Sequence, residues 1–284
     1  MSPLFPILAA VLQAASFTFD KVVLSLRHIS FRTYLGISFP LIFAFELVIF
    51  VIVDPPLPQT FFSPRLVFLT GGLIFLTVIG NLLYYRALDR DRLSEVETFT
   101  LLTYIPTLIW AHFIFQDERN LTLLILALLA SSIVVWSHWE HRHFRIARLT
   151  APFFIWTVTF GPFGDIISRE IIKSWNPIVM VMIRDGIVAL IFGSLFFKYR
   201  THLALRPFLL LLLTNLLTTV AWIIYYFSFK FSGIAYTILL FSLMPLLVYF
   251  ASLFFLKETL HWKKLAAFII VLVSIAIAQI FSPQ

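Results

Sequence analysis

The sequence predicts an all-α membrane protein with ten transmembrane helices, arranged as two inverted five-helix repeats around a central cavity. Three observations predict this fold class: an apolar composition, ten apolar segments of membrane-spanning length, and an internal repeat of polar and aromatic signals. Of the 284 residues, 61% are apolar and 12% are charged, whereas a soluble domain carries about 25% charged residues. A soluble fold of this composition would lack the polar surface needed to cover itself, whereas lipid lets apolar side chains face outward.

Ten segments are apolar enough to cross the hydrocarbon core of a bilayer, which takes roughly 20 helical residues. They are residues 4–26, 33–53, 66–88, 96–116, 121–138, 150–169, 177–197, 207–229, 234–256 and 264–281, here called predicted spans 1 to 10. Several contain proline, which membrane helices tolerate because neighbouring helices satisfy the freed backbone groups. The first segment lacks a basic leader and a small-residue cleavage pattern, so we predict a span rather than a signal peptide.

The same order of signals occurs twice along the chain. In each copy a proline follows a Tyr-Tyr pair after about 20 residues. A glutamate then follows the proline after 12 or 13 residues. The two copies are Tyr84-Tyr85, Pro106 and Glu118, and Tyr225-Tyr226, Pro245 and Glu258. The repeat predicts two domains, residues 1–140 and 141–284. Since each contains five helices, an odd number, the second would be inverted, and inverted repeats place a substrate site near mid-membrane where they meet.

In these residues the chain resembles the ten-helix, EamA-like members of the drug/metabolite transporter superfamily. The resemblance rests on a Tyr-Tyr-x-Ala-Leu helix end, a mid-helix proline and an acidic turn, which stand here as Tyr84-Tyr85-Arg86-Ala87-Leu88, Pro106 and Glu118-Arg119-Asn120-Leu121 in the first copy. The chain departs from the pattern where a glycine usually precedes the acidic residue, since Asp117 and Lys257 stand there. The usual Trp-Gly of span 1 is replaced by Ala14-Ala15-Ser16-Phe17.

The resemblance implies a secondary transporter, an exporter or exchanger that moves a small metabolite by alternating access. Its cavity would be lined mainly by predicted spans 1, 3, 4, 6, 8 and 9. An amino acid or related compound is our first expectation for the substrate, from its frequency in the family alone. We further expect a monomeric, multi-pass protein of a prokaryotic plasma (inner) membrane, coupled to protons or to a counter-substrate.

Eleven polar and aromatic residues of these spans are our candidates for substrate contact. They are Gln13, Phe17, Asn81, Tyr85, Thr98, Tyr104, Trp156, Asp165, Trp222, Tyr226 and Tyr236. Aromatic rings can contact amphipathic or cationic ligands, but the Tyr-Tyr pairs lie near helix ends and also fit aromatic belts at the membrane surface. Asp165, beside Gly161, Pro162 and Gly164, is equally compatible with a substrate or proton site and with helix packing.

Four charged residues within the spans are candidates for gating or coupling, namely Asp20, Lys21, Glu46 and Arg184. A charge at the bilayer centre costs about 2.5–3.5 kcal/mol on insertion scales, so each requires a partner or water. Asp20 and Lys21 fit either a charge pair in the cavity that binds or gates, or a charge pair at the edge of the membrane. In the second case the Lys21 side chain would extend to the membrane–water interface. Glu46 fits either a protonatable coupling residue or a neutral acid bonded to a neighbouring helix.

Further roles are predicted for charged residues near the span ends. Arg184 and the aspartate that follows it fit a contact with Arg169 and Glu170, and structural pairing or gating is favoured there over substrate contact. Glu118 and Glu258 each precede the last helix of a half, and we expect them to cap its N-terminus, where a carboxylate is favoured electrostatically.

The sequence predicts no cofactor, metal or nucleic-acid partner, and no enzyme activity. It contains no cysteine, and the run 138–143, rich in histidine, lies among arginines that would repel a cation. No Walker sequence, Gly-rich phosphate loop or nucleophile elbow is present. Two alternatives stay open: an intramembrane lipid-modifying enzyme, which would need acidic and histidine residues around one pocket, and a non-transporting scaffold, which would have a solid core between the halves.

The formal net charge is +7. We attribute it to basic residues in the loops, which set the orientation of the protein in the membrane. Fourteen Lys and Arg residues lie in predicted loops on the side opposite the termini, and five lie on the side of the termini. The positive-inside rule therefore places the termini outside the cytosol, whereas the family resemblance implies cytosolic termini.

Overall fold

The protein is described here by a computed structural model, which covers residues 3–26, 29–57, 63–90, 93, 96, 100, 102–137, 150–199, 204–255 and 262–281. Within these residues the regular structure is helical. The helices are α1 (Leu4–Leu24), α2 (Phe31–Val53), α3 (Pro64–Arg90), α4 (Tyr104–Ile114), α5 (Leu121–Ser137), α6 (Ala151–Thr159), α7 (Gly161–Ile172), α8 (Pro177–Leu195), α9 (Leu205–Ser232), α10 (Ile234–Phe241), α11 (Leu243–Phe255) and α12 (Trp262–Phe281). Short 3-10 turns lie at Gln116–Glu118 and Phe197–Tyr199.

Seven stretches of the described residues are helical, long and apolar enough to cross a membrane, with mean hydropathies from 1.6 to 2.5. They are Leu4–Leu24, Phe31–Val53, Pro64–Arg90, Pro177–Leu195, Leu205–Ser232, Ile234–Ala251 and Trp262–Ile280. α4 and α5 are apolar but have only 11 and 17 residues. These helices indicate a multi-pass, all-helical membrane protein. The number of ten membrane crossings and the inverted arrangement of the two halves stay predictions.

Each predicted span overlaps a described helix, but two predicted spans are interrupted near a proline. Predicted span 6 consists of α6 and α7, which meet at Phe160, and predicted span 9 consists of α10 and α11, which meet at Ser242. Proline has no N–H to donate to the carbonyl four residues earlier, so the ladder is weakened just before Pro162 and Pro245. Near the first break the hydroxyl of Thr103, the residue before α4, donates to the Thr157 carbonyl at 3.2 Å, so this carbonyl has a partner outside its own helix.

The distribution of side chains is the one expected for a protein in lipid. Large apolar side chains lie on the outer surface, with Phe68 80% exposed and Ile52 76% exposed. Charged side chains such as Asp20, Glu46 and Arg184 are instead buried between helices. Because a charge in hydrocarbon is costly, an interior position with polar partners is where such groups belong in a membrane protein.

The two halves of the chain are packed against each other along several helix pairs. α1 packs on α9, α3 on α7, α2 on α8 and α5 on α12. The α1–α9 contact includes polar groups, because Ser16 Oγ lies 2.9 Å from Thr214 Oγ1 and within hydrogen-bond distance of Thr218 Oγ1. Small residues allow close approach between α2 and α8, where the Cα of Gly186 faces the ring of Phe43 so closely that an added Cβ would lie 2.8 Å from it.

Candidate functional site

A cavity of about 270 Å³ lies where the two halves meet. Its walls are formed by α1, α2, α3, α6, α7, α8 and α9, together with Thr100 and Thr103. Nine of the fifteen predicted site residues line it: Gln13, Phe17, Asn81, Tyr85, Trp156, Asp165, Arg184, Trp222 and Tyr226. The structure thus brings together side chains that are more than 200 residues apart in the sequence.

Five other predicted site residues lie outside the lining of this cavity: Asp20, Lys21, Glu46, Tyr104 and Tyr236. Tyr104 and Tyr236 are buried in helix contacts, and the Tyr236 hydroxyl accepts a hydrogen bond from Gln279 Nε2 on α12. Their contact with substrate stays a prediction. Thr98 lies outside the described residues.

Aromatic rings form much of the cavity wall. Trp222 and Tyr226 on α9 are stacked, with centroids 5.8 Å apart and an interplanar angle of 27°. On the opposite half, the Tyr84 ring lies 5.5 Å from Phe17 and 5.6 Å from Phe153. The tyrosine pairs are buried, so they line the interior rather than forming a belt at the membrane surface.

Arg184 lies at the cavity wall with its charge balanced by the residue next to it. Its Nε and one terminal nitrogen donate to the two Asp185 oxygens, each at 2.7 Å, and its other terminal nitrogen donates to the Tyr226 hydroxyl at 2.8 Å. Glu46 of α2, 1% exposed, is buried close to this ion pair. The expectation that Arg184 would meet Glu170 is wrong, because Glu170 pairs with Arg65 and Lys173 instead.

Asp165 on α7 faces the cavity in a different setting. Among the residues that the structure describes, its carboxylate has neither a hydrogen-bond nor an ion-pair partner. The backbone beside it is open, since a Cβ added at Gly164 would meet no atom within 4 Å. Asp165 therefore presents an acceptor to whatever occupies the cavity.

Two carboxamides complete the polar part of the lining. Gln13 is 1% exposed, and neither its amide oxygen nor its amide nitrogen has a partner among the described residues. The side-chain nitrogen of Asn81 donates to the Thr77 carbonyl of the same helix at 2.8 Å. Leaving a buried amide unpaired costs about 1–3 kcal/mol, so Gln13 would gain from a polar ligand group.

Four residues around a buried carboxylate form a group that we call the Asp20 cluster: Asp20, Tyr34, Tyr85 and Thr214. The Tyr34 and Thr214 hydroxyls each donate to Asp20 Oδ1 at 2.5 Å, and the Tyr85 hydroxyl donates to Oδ2 at 3.3 Å. Lys21, next in the chain, donates to the Leu88 carbonyl at 2.7 Å and so caps the C-terminal turn of α3. This cluster joins α1, α2 and α3 to α9.

A second group, which we call the Glu118 cluster, consists of Asp117, Glu118, Arg169, Ile234 and Ala235. Glu118 accepts hydrogen bonds from the backbone N–H groups of Ile234 at 2.5 Å and Ala235 at 3.0 Å. Arg169 donates to Asp117 at 2.6 Å and to the backbone carbonyl of Phe229, which lies in the last turn of α9. Burial raises the pKa of the Glu118 carboxyl, and the two backbone donors and Arg169 oppose that shift without cancelling it.

The role expected for Glu118 is therefore corrected. It caps α10, a helix of the second half, and not α5, the helix that follows it. The N-terminus of α5 is capped by Asn120, whose Oδ1 accepts from the Leu123 N–H at 3.1 Å. Glu258 and the histidine-rich run 138–143 lie outside the described residues.

The two clusters lie at opposite ends of the stretch of α9 that lines the cavity. α9 connects them, with Thr214 in the Asp20 cluster and the Phe229 carbonyl in the Glu118 cluster. These positions are fifteen residues apart in one helix, which is about 22 Å along its axis. The cavity-lining residues Thr218, Trp222 and Tyr226 lie between them.

Comparison with known proteins identifies the second half of the chain. Residues 149–279 match the EamA-like transporter family. This half resembles an EamA-like transporter domain. The resemblance predicted from the sequence is thereby confirmed for residues 149–279, and it indicates a membrane transporter of the drug/metabolite transporter superfamily.

The fold of the whole chain, including the EamA-like domain, has a counterpart among solved structures. A crystal structure of a protein superposes with a TM-score of 0.75 at 12% sequence identity, over 100% of this chain and 99% of that chain. No curated protein sequence matches the chain. At this identity the likeness establishes the fold alone.

The EamA-like domain contributes to the cavity through a pattern that sequence reasoning used only in part. On α9, Thr218, Trp222 and Tyr226 are four residues apart, and all three line the cavity. On α3 of the first half, Thr77, Asn81 and Tyr85 have the same spacing and also line it. Residues four apart share one face of a helix, so this spacing could have revealed Thr77 and Thr218, which the sequence analysis missed.

Proposed function

We propose that the chain is a secondary transporter that moves a small metabolite, an amino acid or a related compound, by alternating access. In this proposal two inverted five-helix repeats cross the membrane ten times. The substrate occupies the cavity between them, and the two end clusters open in turn. The protein works as a monomer in a prokaryotic inner membrane and is coupled to protons or to a counter-substrate.

The observation that carries the proposal is the equivalence of the two cavity walls. Thr77, Asn81 and Tyr85 of α3 face the same cavity as Thr218, Trp222 and Tyr226 of α9, and each set repeats at four-residue intervals. A transporter that turns its site from one side of the membrane to the other needs equivalent walls in both halves, whereas a scaffold does not. The solid interface expected of a scaffold is also replaced by the cavity.

Helix pairing supports the inverted relation of the halves. If predicted spans 1 to 5 correspond to spans 6 to 10, a contact between spans 1 and 8 requires a matching contact between spans 6 and 3. The structure has both, as α1 on α9 and as α3 on α7. The pairs α2–α8 and α5–α12 join equivalent spans, as a two-fold relation also requires.

The end clusters supply contacts that can be exchanged during transport. The Asp20 cluster joins the halves through the hydrogen bond from Thr214 to Asp20. The Glu118 cluster joins them through the backbone donors of α10 to Glu118 and through the ion pair between Arg169 and Asp117. Breaking one set while the other stays intact opens the cavity to one side only. In this proposal Asp20 and Lys21 act in gating, and Arg184 at the cavity wall acts in coupling together with the buried Glu46.

Flux through purified protein in sealed liposomes tests the proposal. A panel of amino acids, nucleotide sugars and organic cations should include at least one class that the protein moves and empty liposomes do not. Substituting Trp222→Ala removes a ring of the cavity wall and should lower that flux at least about tenfold. The matched control is Trp262→Ala, because Trp262 is 68% exposed on the outer surface.

Two results would count against the proposal. One is an absence of flux for every class on the panel while the protein stays monodisperse and folded. The other is equal loss of flux in both tryptophan variants, since the cavity wall would then have no special part in transport.

A further inference from the structure

We propose that Asp165 and the aromatic rings around it form a binding site for a protonated amine, so that the transported compound carries an ammonium group. This inference rests on the proposed function and names the chemical class of its substrate. In this inference the amine of the substrate is required for binding, whereas a carboxylate on the substrate is not.

The first argument is the charge balance of the cavity wall. The charged residues that the structure places in the lining are Asp165, Arg184 and Asp185. Arg184 and Asp185 neutralise each other through two hydrogen bonds of 2.7 Å. Asp165 has no such partner among the described residues, so the lining they form carries one uncompensated carboxylate and no uncompensated cation.

The same charge balance disfavours a negatively charged substrate, because the described residues of the cavity wall offer it no unpaired cation. To bind Arg184 it would have to displace Asp185, which would leave that carboxylate buried beside Glu46 without its counter-charge. An ammonium group needs no displacement, because Asp165 is open to the cavity. Electrostatic complementarity of this kind selects ligands by the sign of their charge.

The second argument is the aromatic character of the surroundings. Asp165 lies within electrostatic range of Tyr225 and Tyr226, and Tyr226 is stacked on Trp222. Rings next to a carboxylate are a favourable setting for ammonium groups, because the faces of tryptophan and tyrosine attract cations and shield them from water. The alkyl or aryl part of the same ligand would pack on the other apolar rings of the wall.

The third argument is the room beside Asp165 and the unpaired amide of Gln13. α7 begins at Gly161, and the open space at Gly164 lies one residue before Asp165. Gln13 also lines the cavity, and its buried amide oxygen and nitrogen lack partners in the part of the chain that the structure describes. A ligand with an ammonium group and a second polar group would satisfy both residues.

The test compares three probes with the same ring and chain but different end groups: phenethylamine, 2-phenylethanol and 3-phenylpropanoate. Binding is measured by calorimetry on the purified full chain at pH 7. We expect the amine to bind at least about tenfold more tightly than the alcohol, a difference of 1.4 kcal/mol, and the carboxylate to bind most weakly. Asp165→Asn should abolish the preference for the amine and leave the affinity for the alcohol within about twofold.

The control variant is Glu170→Gln, which removes a carboxylate from the end of the same helix, where it pairs with Arg65 and Lys173. It should keep the preference for the amine. The inference is overturned if Asp165→Asn keeps that preference, or if the wild-type protein binds the alcohol or the carboxylate as tightly as the amine. The wild-type comparison alone decides the matter if the variant does not fold.

Failure of this inference can be told apart from failure of the proposed function. Flux of any metabolite class without amine preference would overturn the Asp165 site and leave the transporter intact. Amine binding without flux of any compound would support the Asp165 site and count against transport.

Discussion

Alanine in place of Gly233 should weaken the Glu118 cluster, which joins the two halves of the chain. Gly233 has φ +81° and ψ 173°, a conformation that is accessible almost only to glycine and costs other residues about 1–3 kcal/mol. A Cβ at this position would also lie 2.5 Å from Glu118 Oε1, so the carboxylate would have to leave the N-terminus of α10. Loss of such a cap costs about 0.5–2 kcal/mol.

Together these effects lower the free energy of unfolding by about 1.5–5 kcal/mol, which thermal unfolding of the detergent-solubilised protein should show as a clear drop in Tm. Gly71→Ala is the matched control, because a Cβ there would meet nothing within 4 Å and alanine favours the α3 helix by up to about 1 kcal/mol. An unchanged Tm for Gly233→Ala, or equal losses in the two variants, would refute this account of the Glu118 cluster.

Three further substitutions test the buried polar contacts by thermal unfolding. Arg184→Ala leaves Asp185 buried without its counter-charge and should cost about 3–5 kcal/mol; a loss below about 1 kcal/mol would contradict the ion pair. Thr214→Val removes one donor to Asp20 and should cost about 1–3 kcal/mol, and a neutral result would show that the contact does not contribute. Glu118→Gln keeps only one carbonyl acceptor for two backbone donors and should cost about 1–2 kcal/mol, whereas an increase in Tm would mean that burial of the carboxyl outweighs its hydrogen bonds.

Much of the helical architecture could be predicted because the signal is strong. Segments such as Phe31–Val53 combine spanning length with high hydropathy, and lipid leaves helices and closed barrels as the only spanning structures. The interruptions at Phe160 and Ser242 were harder to predict, because a proline inside a membrane helix can be accommodated without a break. Only the surrounding packing, such as the contact of Thr103 with the Thr157 carbonyl, decides this.

The partners of charged residues were the least predictable part. Adjacent residues on a helix do not face each other, so the sequence does not indicate Asp185 as the partner of Arg184. The long arginine side chain nevertheless reaches it. Glu118 was expected to cap the next helix, because capping is normally local. Its donors belong to α10, more than 110 residues later, and no local pattern specifies that contact.

The tyrosine pairs illustrate a different limit. Near helix ends, tyrosines fit both an aromatic belt and a buried cavity wall, and the helices are too uniformly apolar for periodicity to separate the two. The structure buries Tyr85 and Tyr226 at the cavity. The four-residue spacing with Asn81 and Trp222 was the available signal, since it places each set on one helix face.

The most direct test of alternating access is the accessibility of a single thiol in the cavity from each side of the membrane. The chain has no cysteine, so Asn81→Cys reports alone when a membrane-impermeant thiol reagent is applied to either side of oriented, sealed liposomes. We expect labelling from both sides. When cysteines at Asp117 and Arg169 are first cross-linked, labelling should be lost from the side of the Glu118 cluster only, and transport should stop. Access from one side under all conditions, or undiminished access from both sides after cross-linking, would contradict the mechanism.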